Sequence, residues 1–177
     1  MGAEMNSVKS ANLKVLAELR KIWNAELAPL RDFCPSPLPY AVAYKPVDPV
    51  AMPMLGHIAT ARDQTSPAFQ PLVDALIDGA PLFHWIRSYK PEQGVNADFM
   101  ERYAYINIVS PAGPFISEDT RITVAFWGAG LIYHEHWHEP EELYAVIAGS
   151  ARFRATGRAR RQVGVGDMIH HESNQLH

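Results

Sequence analysis

Apolar residues near the start of the chain recur at steps of three and four. Leu16, Leu19, Trp23 and Leu27 fall on one stripe, which predicts a helix from Ser7 to about Leu27. Pro29 and the proline-rich run beginning at Cys34 then end it. Residues 34–56 show no period and predict an extended, wandering connection. The helical step returns in Phe69, Leu72, Val73, Leu76 and Ile77. A second helix is therefore expected from about Pro67 to Ile77, with Ser66 as its N-cap and Asp78-Gly79 as its stop.

After residue 80 the pattern changes to short runs of β-formers. Tyr103–Val109, Ile122–Trp127, Glu142–Ala148, Ser150–Ala155, Gln162–Val165 and Met168–His171 read as strands. Gly128, Gly130, Gly149, Gly157 and Gly166-Asp167 supply turns between them. Short strands at this spacing predict a mainly β fold, a barrel or jelly roll. The expected organisation is a helical N-terminal extension, residues 1–80, packed on a barrel of residues 81–177.

Composition changes this picture little. The chain has 177 residues, 47% hydrophobic and 20% charged, enough for a real core in one domain. A net charge of −3 gives no reason to expect a nucleic-acid partner. The basic cluster from Arg152 to Arg161 is interrupted by Ala, Thr and Gly and reads as a solvated strand edge and turn. The single cysteine, Cys34, cannot form an internal disulfide and reads as a small packed residue. No apolar run has the length of a membrane span or a signal-peptide core, so the expectation is a cytoplasmic protein without a membrane partner.

Histidine changes the picture more. Six of the eight histidines (134, 136, 138, 170, 171 and 177) lie in the last quarter of the chain. On an extended backbone, side chains two apart share a face, so His136 and His138 point the same way. If the short Glu139–Glu141 turn keeps the parity, Glu142 and Tyr144 join them. Two imidazoles and a carboxylate converging on one point make a site for one divalent transition metal, with positions left open for substrate. Zn, Fe, Mn, Co and Ni all suit such donors. A further ligand is expected from a later strand. His134 has the parity to orient a ligand. His170 and His171 are neighbours on a strand, so one faces the pocket and the other solvent. His57 and His84 lie outside the pattern.

The order Gly130-x5-His136-x-His138-x3-Glu142-x6-Gly149 resembles the first cupin motif. Gly166-Asp167 followed by His177 resembles the second, whose histidine is a metal ligand, and this resemblance makes His177 the fourth ligand. His171 stands where cupins usually carry proline, and His177 ends the chain where a cupin continues into another strand. More closely, Tyr133-x2-His136-x-His138-x3-Glu142-x-Tyr144, the run Leu143–Gly149 and the pattern from His170 to His177 look like the cupin-type dimethylsulfoniopropionate lyases. The likeness covers roughly residues 100–177. It extends to the N-terminal 80 residues only as a general similarity, since these lyases also carry helices before the barrel.

That resemblance implies a carbon–sulfur lyase which splits dimethylsulfoniopropionate into dimethyl sulfide and acrylate by β-elimination. It gives Tyr144 the role of base and places Tyr133 at the site. The substrate would be a sulfonium carboxylate, a soft cation that aromatic faces hold. Trp127, Tyr103, Tyr105 and Trp137 are the aromatics expected to bind it beside Tyr133, although Trp137 alternates away from its neighbouring histidines. Competing readings are an iron-dependent cupin dioxygenase, a non-catalytic cupin binding a small molecule or metal, and a related lyase for another β-substituted acid. The apolar helix 7–27 allows a homodimer, but equally a helix packed on its own barrel.

Overall fold

The computed structural model describes residues 2–25, 28–34, 43–90 and 96–177. Helix α1 (Gly2–Ala25) is followed by a short α2 (Ala28–Phe33). Val8, Val15, Leu16, Leu19, Ile22 and Trp23 are buried along α1. The stripe is therefore wider than Leu16, Leu19 and Trp23, while Leu27 lies outside the described residues. Pro29 does not end helical structure here. It sits in the first turn of α2, where its missing N–H costs no hydrogen bond.

The connection is irregular at 43–52 and then winds into two 3-10 helices, Pro53–Gly56 and Ile58–Gln64. The pattern did not foretell these turns. Helix α3 (Gln70–Gly79) starts later than expected. Ser66 does not cap it with its side chain. Its carbonyl instead accepts from the N–H groups of Phe69 (3.0 Å) and Gln70 (2.9 Å). Gly79 does end the helix, but not through a left-handed turn, since its φ is −85°. A Cβ there would lie 2.4 Å from the Phe83 ring, so the close approach of Phe83 is what requires glycine.

Helix α4 (Ala97–Arg102) is too short to show a period. It is set by the Asn96 side chain, which accepts from the Phe99 N–H at 2.8 Å, and by the fully buried Phe99. Strands β1 (Tyr103–Val109), β2 (Ile122–Trp127), β3 (Glu142–Ala145), β4 (Ser150–Phe153), β5 (Arg161–Gly164) and β6 (Met168–His171) follow, close to the predicted runs.

The architecture differs from the mainly β barrel expected. Helices contribute a full layer, and among the described residues the strands pair antiparallel as β1–β2, β3–β6 and β4–β5, without closing a barrel. The reason lies in the connections. Residues 131–138 form no named strand, and isolated bridges such as Ile86↔Tyr105 and Thr65↔Ala148 stand in for longer strands.

One core joins the layers. Val15, Leu19 and Trp23 of α1, Leu72 and Leu76 of α3, Phe83, Trp85, and Ala104, Ile106 and Ile108 of β1 form a single buried cluster. Each such large side chain contributes about 1.5–3 kcal/mol by leaving water. The exposed Lys14–Asp78 pair, 3.7 Å apart, contributes about 0–1 kcal/mol. Apolar burial, not ion pairing, therefore holds α1 against α3. The alternation of β1 turns Tyr103 and Tyr105 to the other face, away from this core and toward the histidines.

Candidate metal centre

The site is built from an extended segment, a strand and the chain's last residues. His136 and His177 exchange both backbone bonds, His136 N–H to His177 carbonyl at 2.9 Å and the reverse at 3.0 Å. The Asn174 N–H donates to the His138 carbonyl at 2.8 Å. The segment 173–177 thus runs beside 136–138 and brings His177 to the first two histidines. The ligand nitrogens of His136, His138 and His177 lie within 4.8 Å of one another. Glu142 and Tyr144, two apart on β3, face the same way.

Each ring is fixed by its Nδ1. The acceptors are the carbonyls of His134 (3.0 Å, from His136), Pro140 (2.7 Å, from His138) and Gln175 (2.7 Å, from His177). A carbonyl can only accept, so each Nδ1 donates, which leaves each Nε2 as the nitrogen turned toward the cluster. His134 therefore meets the His136 ring through its carbonyl. Its ring packs at 5.4 Å on Phe99.

The Nε2 atoms of His138 and His177 and the Oε2 of Glu142 are buried without a hydrogen-bond partner. The Glu142 Oε2 lies 3.1 Å from the His138 Nε2 and 3.7 Å from the His177 Nε2. Ligands at about 2.1 Å from a tetrahedral ion stand roughly 3.4 Å apart, so these spacings are those of a ligand set. Buried polar atoms left without a partner are costly. Imidazole and carboxylate donors in this number suit a divalent transition ion. Burial also holds the His136 pKa below the usual histidine value, which favours the neutral, ligating form.

Aromatic rings wall the site. Tyr133 packs edge-on to His136 at 5.1 Å, and its hydroxyl lies 3.2 Å from that of Tyr103. Trp127 stands opposite Tyr103 across the β1–β2 ladder and meets both Tyr133 (5.8 Å) and Tyr144 (6.0 Å) edge-on. Tyr105 joins through Tyr103, one ring further out at 6.4 Å. Trp137 does not join: it is 64% exposed and points away, as its parity with His136 requires. The Tyr144 pKa is raised by burial first and then by the adjacent Glu142 carboxylate. That of Tyr133 is raised by burial and then by Tyr103.

Two residues were not legible as site residues. Tyr89 meets Tyr133 edge-on at 6.0 Å, and Phe99 lies 5.7 Å from the same ring. Neither carries a sequence signal, because both reach the site through the fold. His171 is the inward member of its pair and fully buried, whereas His170 turns out to Glu141 (3.2 Å).

The model of the dimethylsulfoniopropionate lyase family matches residues 41–177. The chain belongs to this family. It is 34% identical over 140 residues to the dimethylsulfoniopropionate lyase DddQ of Ruegeria pomeroyi DSS-3, covering 79% of this chain and 69% of that one. Among solved structures, DddQ from the same organism superposes with a TM-score of 0.84 at 33% identity, covering 94% of this chain and 83% of that one. A chain from the crystal structures of the lyases RdDddP and RnDddQII gives 0.88 at 31% identity, covering 96% and 85%.

Proposed function

We propose that the protein cleaves dimethylsulfoniopropionate to dimethyl sulfide and acrylate, with Tyr144 as the base and a metal held by His136, His138, Glu142 and His177. Family membership supports the reaction. The observation that carries the site is the convergence of two imidazole nitrogens and one carboxylate oxygen, buried and without a hydrogen-bond partner. A divalent cation bound there would balance the charge that develops on the substrate carboxylate and would lower the Tyr144 pKa.

The Tyr144 hydroxyl lies beside Glu142, on the ligand face of β3. As phenolate it takes the proton from the carbon next to the substrate carboxylate. The electrons of that C–H bond form the Cα–Cβ double bond. The Cβ–S bond breaks with its pair on sulfur, releasing neutral dimethyl sulfide. Tyr133, Trp127 and Tyr103 present ring faces and edges to the sulfonium end, and Tyr105 lies behind them.

We read the β region as a cupin-like frame whose pairing is local, and residues 1–80 as a helical extension packed on 81–177. The reading extends to a cytoplasmic setting and to a homodimer, which sedimentation would test. No helix among the described residues is long and apolar enough to cross a membrane. Zn, Fe, Mn, Co or Ni would suit the donors. The deciding assay incubates the full chain, loaded in turn with Zn, Mn or Fe, with dimethylsulfoniopropionate. Dimethyl sulfide and acrylate in equal amounts are expected. Their absence with every metal would overturn the function.

A further inference from the structure

His171 takes no part in the reaction described above, yet it is among the most buried polar residues of the chain, at 0% exposure. It lies on β6 directly opposite Glu142 of β3, so both side chains point to the same face of the pair. Its ring lies flat on that of His177, with centroids 3.9 Å apart and planes inclined by 14°. Tyr144 (5.6 Å) and Phe153 (5.9 Å) enclose its other sides. Its ring is not among the three whose nitrogens converge. Two parallel rings aim their in-plane lone pairs along separate lines, which explains why it stands beside the cluster and not in it.

We infer that His171 is a positioning residue, a flat plate that fixes the ring plane of His177 and so aims its Nε2 at the metal position. The inference rests on the reading of His177 as a ligand. His138 and Glu142 sit on either side of a short turn, and Glu142 is held in a ladder. His177 is carried by residues 173–177, which lie beside 136–138 outside the named strands. Its backbone bonds to His136 and its Nδ1 bond to the Gln175 carbonyl set the chain and one ring atom. Rotation of the ring about that anchor is opposed by the face of His171 on one side and by the edge of His136, at 4.4 Å, on another. This gives a physical reason for a planar side chain at the position where the cupin pattern carries proline.

The test compares His171→Phe, which keeps a flat ring, with His171→Leu, which fills the space without one. Metal-free full-length protein is titrated with cobalt(II) and with zinc(II), reading affinity by competition with a chelating dye and ligand geometry by the visible spectrum of the cobalt form. His171→Phe should keep the cobalt spectrum and bind within about threefold of the parent. His171→Leu should bind roughly tenfold or more weakly, within the range for lost support of a ligand, and should alter the spectrum. A loss of packing alone would lower the melting temperature without moving the spectrum. If both variants match the parent, or if both lose affinity alike, the plate is the wrong account. His177→Ala separates the two readings. If it leaves zinc affinity unchanged, the ligand assignment itself fails. If it abolishes binding while His171→Leu does not weaken it, only the positioning role fails.

Discussion

The Nε2 of His138 and the Oε2 of Glu142 face each other at 3.1 Å without a hydrogen bond between them, while the His138 Nδ1 donates to the Pro140 carbonyl. Both atoms are buried and unpartnered. A bound cation would give both atoms a partner. Removing the metal with a chelator should therefore lower the melting temperature, and zinc at a hundred times its dissociation constant should restore about 2.7 kcal/mol. His138→Ala should lose both this stabilisation and lyase activity. Calorimetry with and without zinc checks both.

Tyr144→Phe removes a hydroxyl and leaves all four proposed ligands. Metal content should match the parent, while dimethyl sulfide release falls by about 10²–10⁴-fold, the usual worth of a positioned base. Burial and Glu142 both raise the Tyr144 pKa, so without a cation the phenol stays protonated at neutral pH. Near-full activity in the variant would remove Tyr144 from the mechanism.

Trp127 and Trp137 were both read as substrate-binding residues, and the fold separates them. Trp127→Leu should raise KM by about 2- to 30-fold, the range of a cation–π contact, with a smaller effect on kcat. Trp137→Ser, at a residue 64% exposed, should leave KM unchanged and stability within about 0.5 kcal/mol. Steady-state kinetics on the two variants distinguishes a wall residue from a surface one.

Asn174 has φ 57°, in the left-handed region, and its N–H holds the His138 carbonyl. Asn174→Gly should be tolerated. Asn174→Val should cost roughly 1–2 kcal/mol and weaken zinc binding, since a β-branched side chain resists that backbone. Equal behaviour of the two variants would show that this turn does not position the histidine.

Local signals were legible where the physics is local. The alternation that turns His136 and His138 together, the strands β1 and β2, and the helical stripes all follow from residue period alone. The strand pattern implied a barrel, but the connecting segments form bridges in place of ladders, and hydrogen-bond closure depends on partners distant in the chain. The helix α4 was missed because six residues are too few to show a period. Tyr89 and Phe99 reach the Tyr133 ring from segments whose own patterns say nothing of a site.

The sequence by itself determined the donor types and their common face, because spacing of one or two residues fixes side-chain direction. It also carried the family, through Tyr133, Tyr144 and their histidine neighbours. Only the tertiary structure decided that His177 meets the other two histidines, since that depends on backbone bonds between segments far apart. It alone decided that Trp127 joins the wall, and that His171 rather than His170 turns inward to lie on His177. Contacts of that kind are properties of packing, and no local period encodes them.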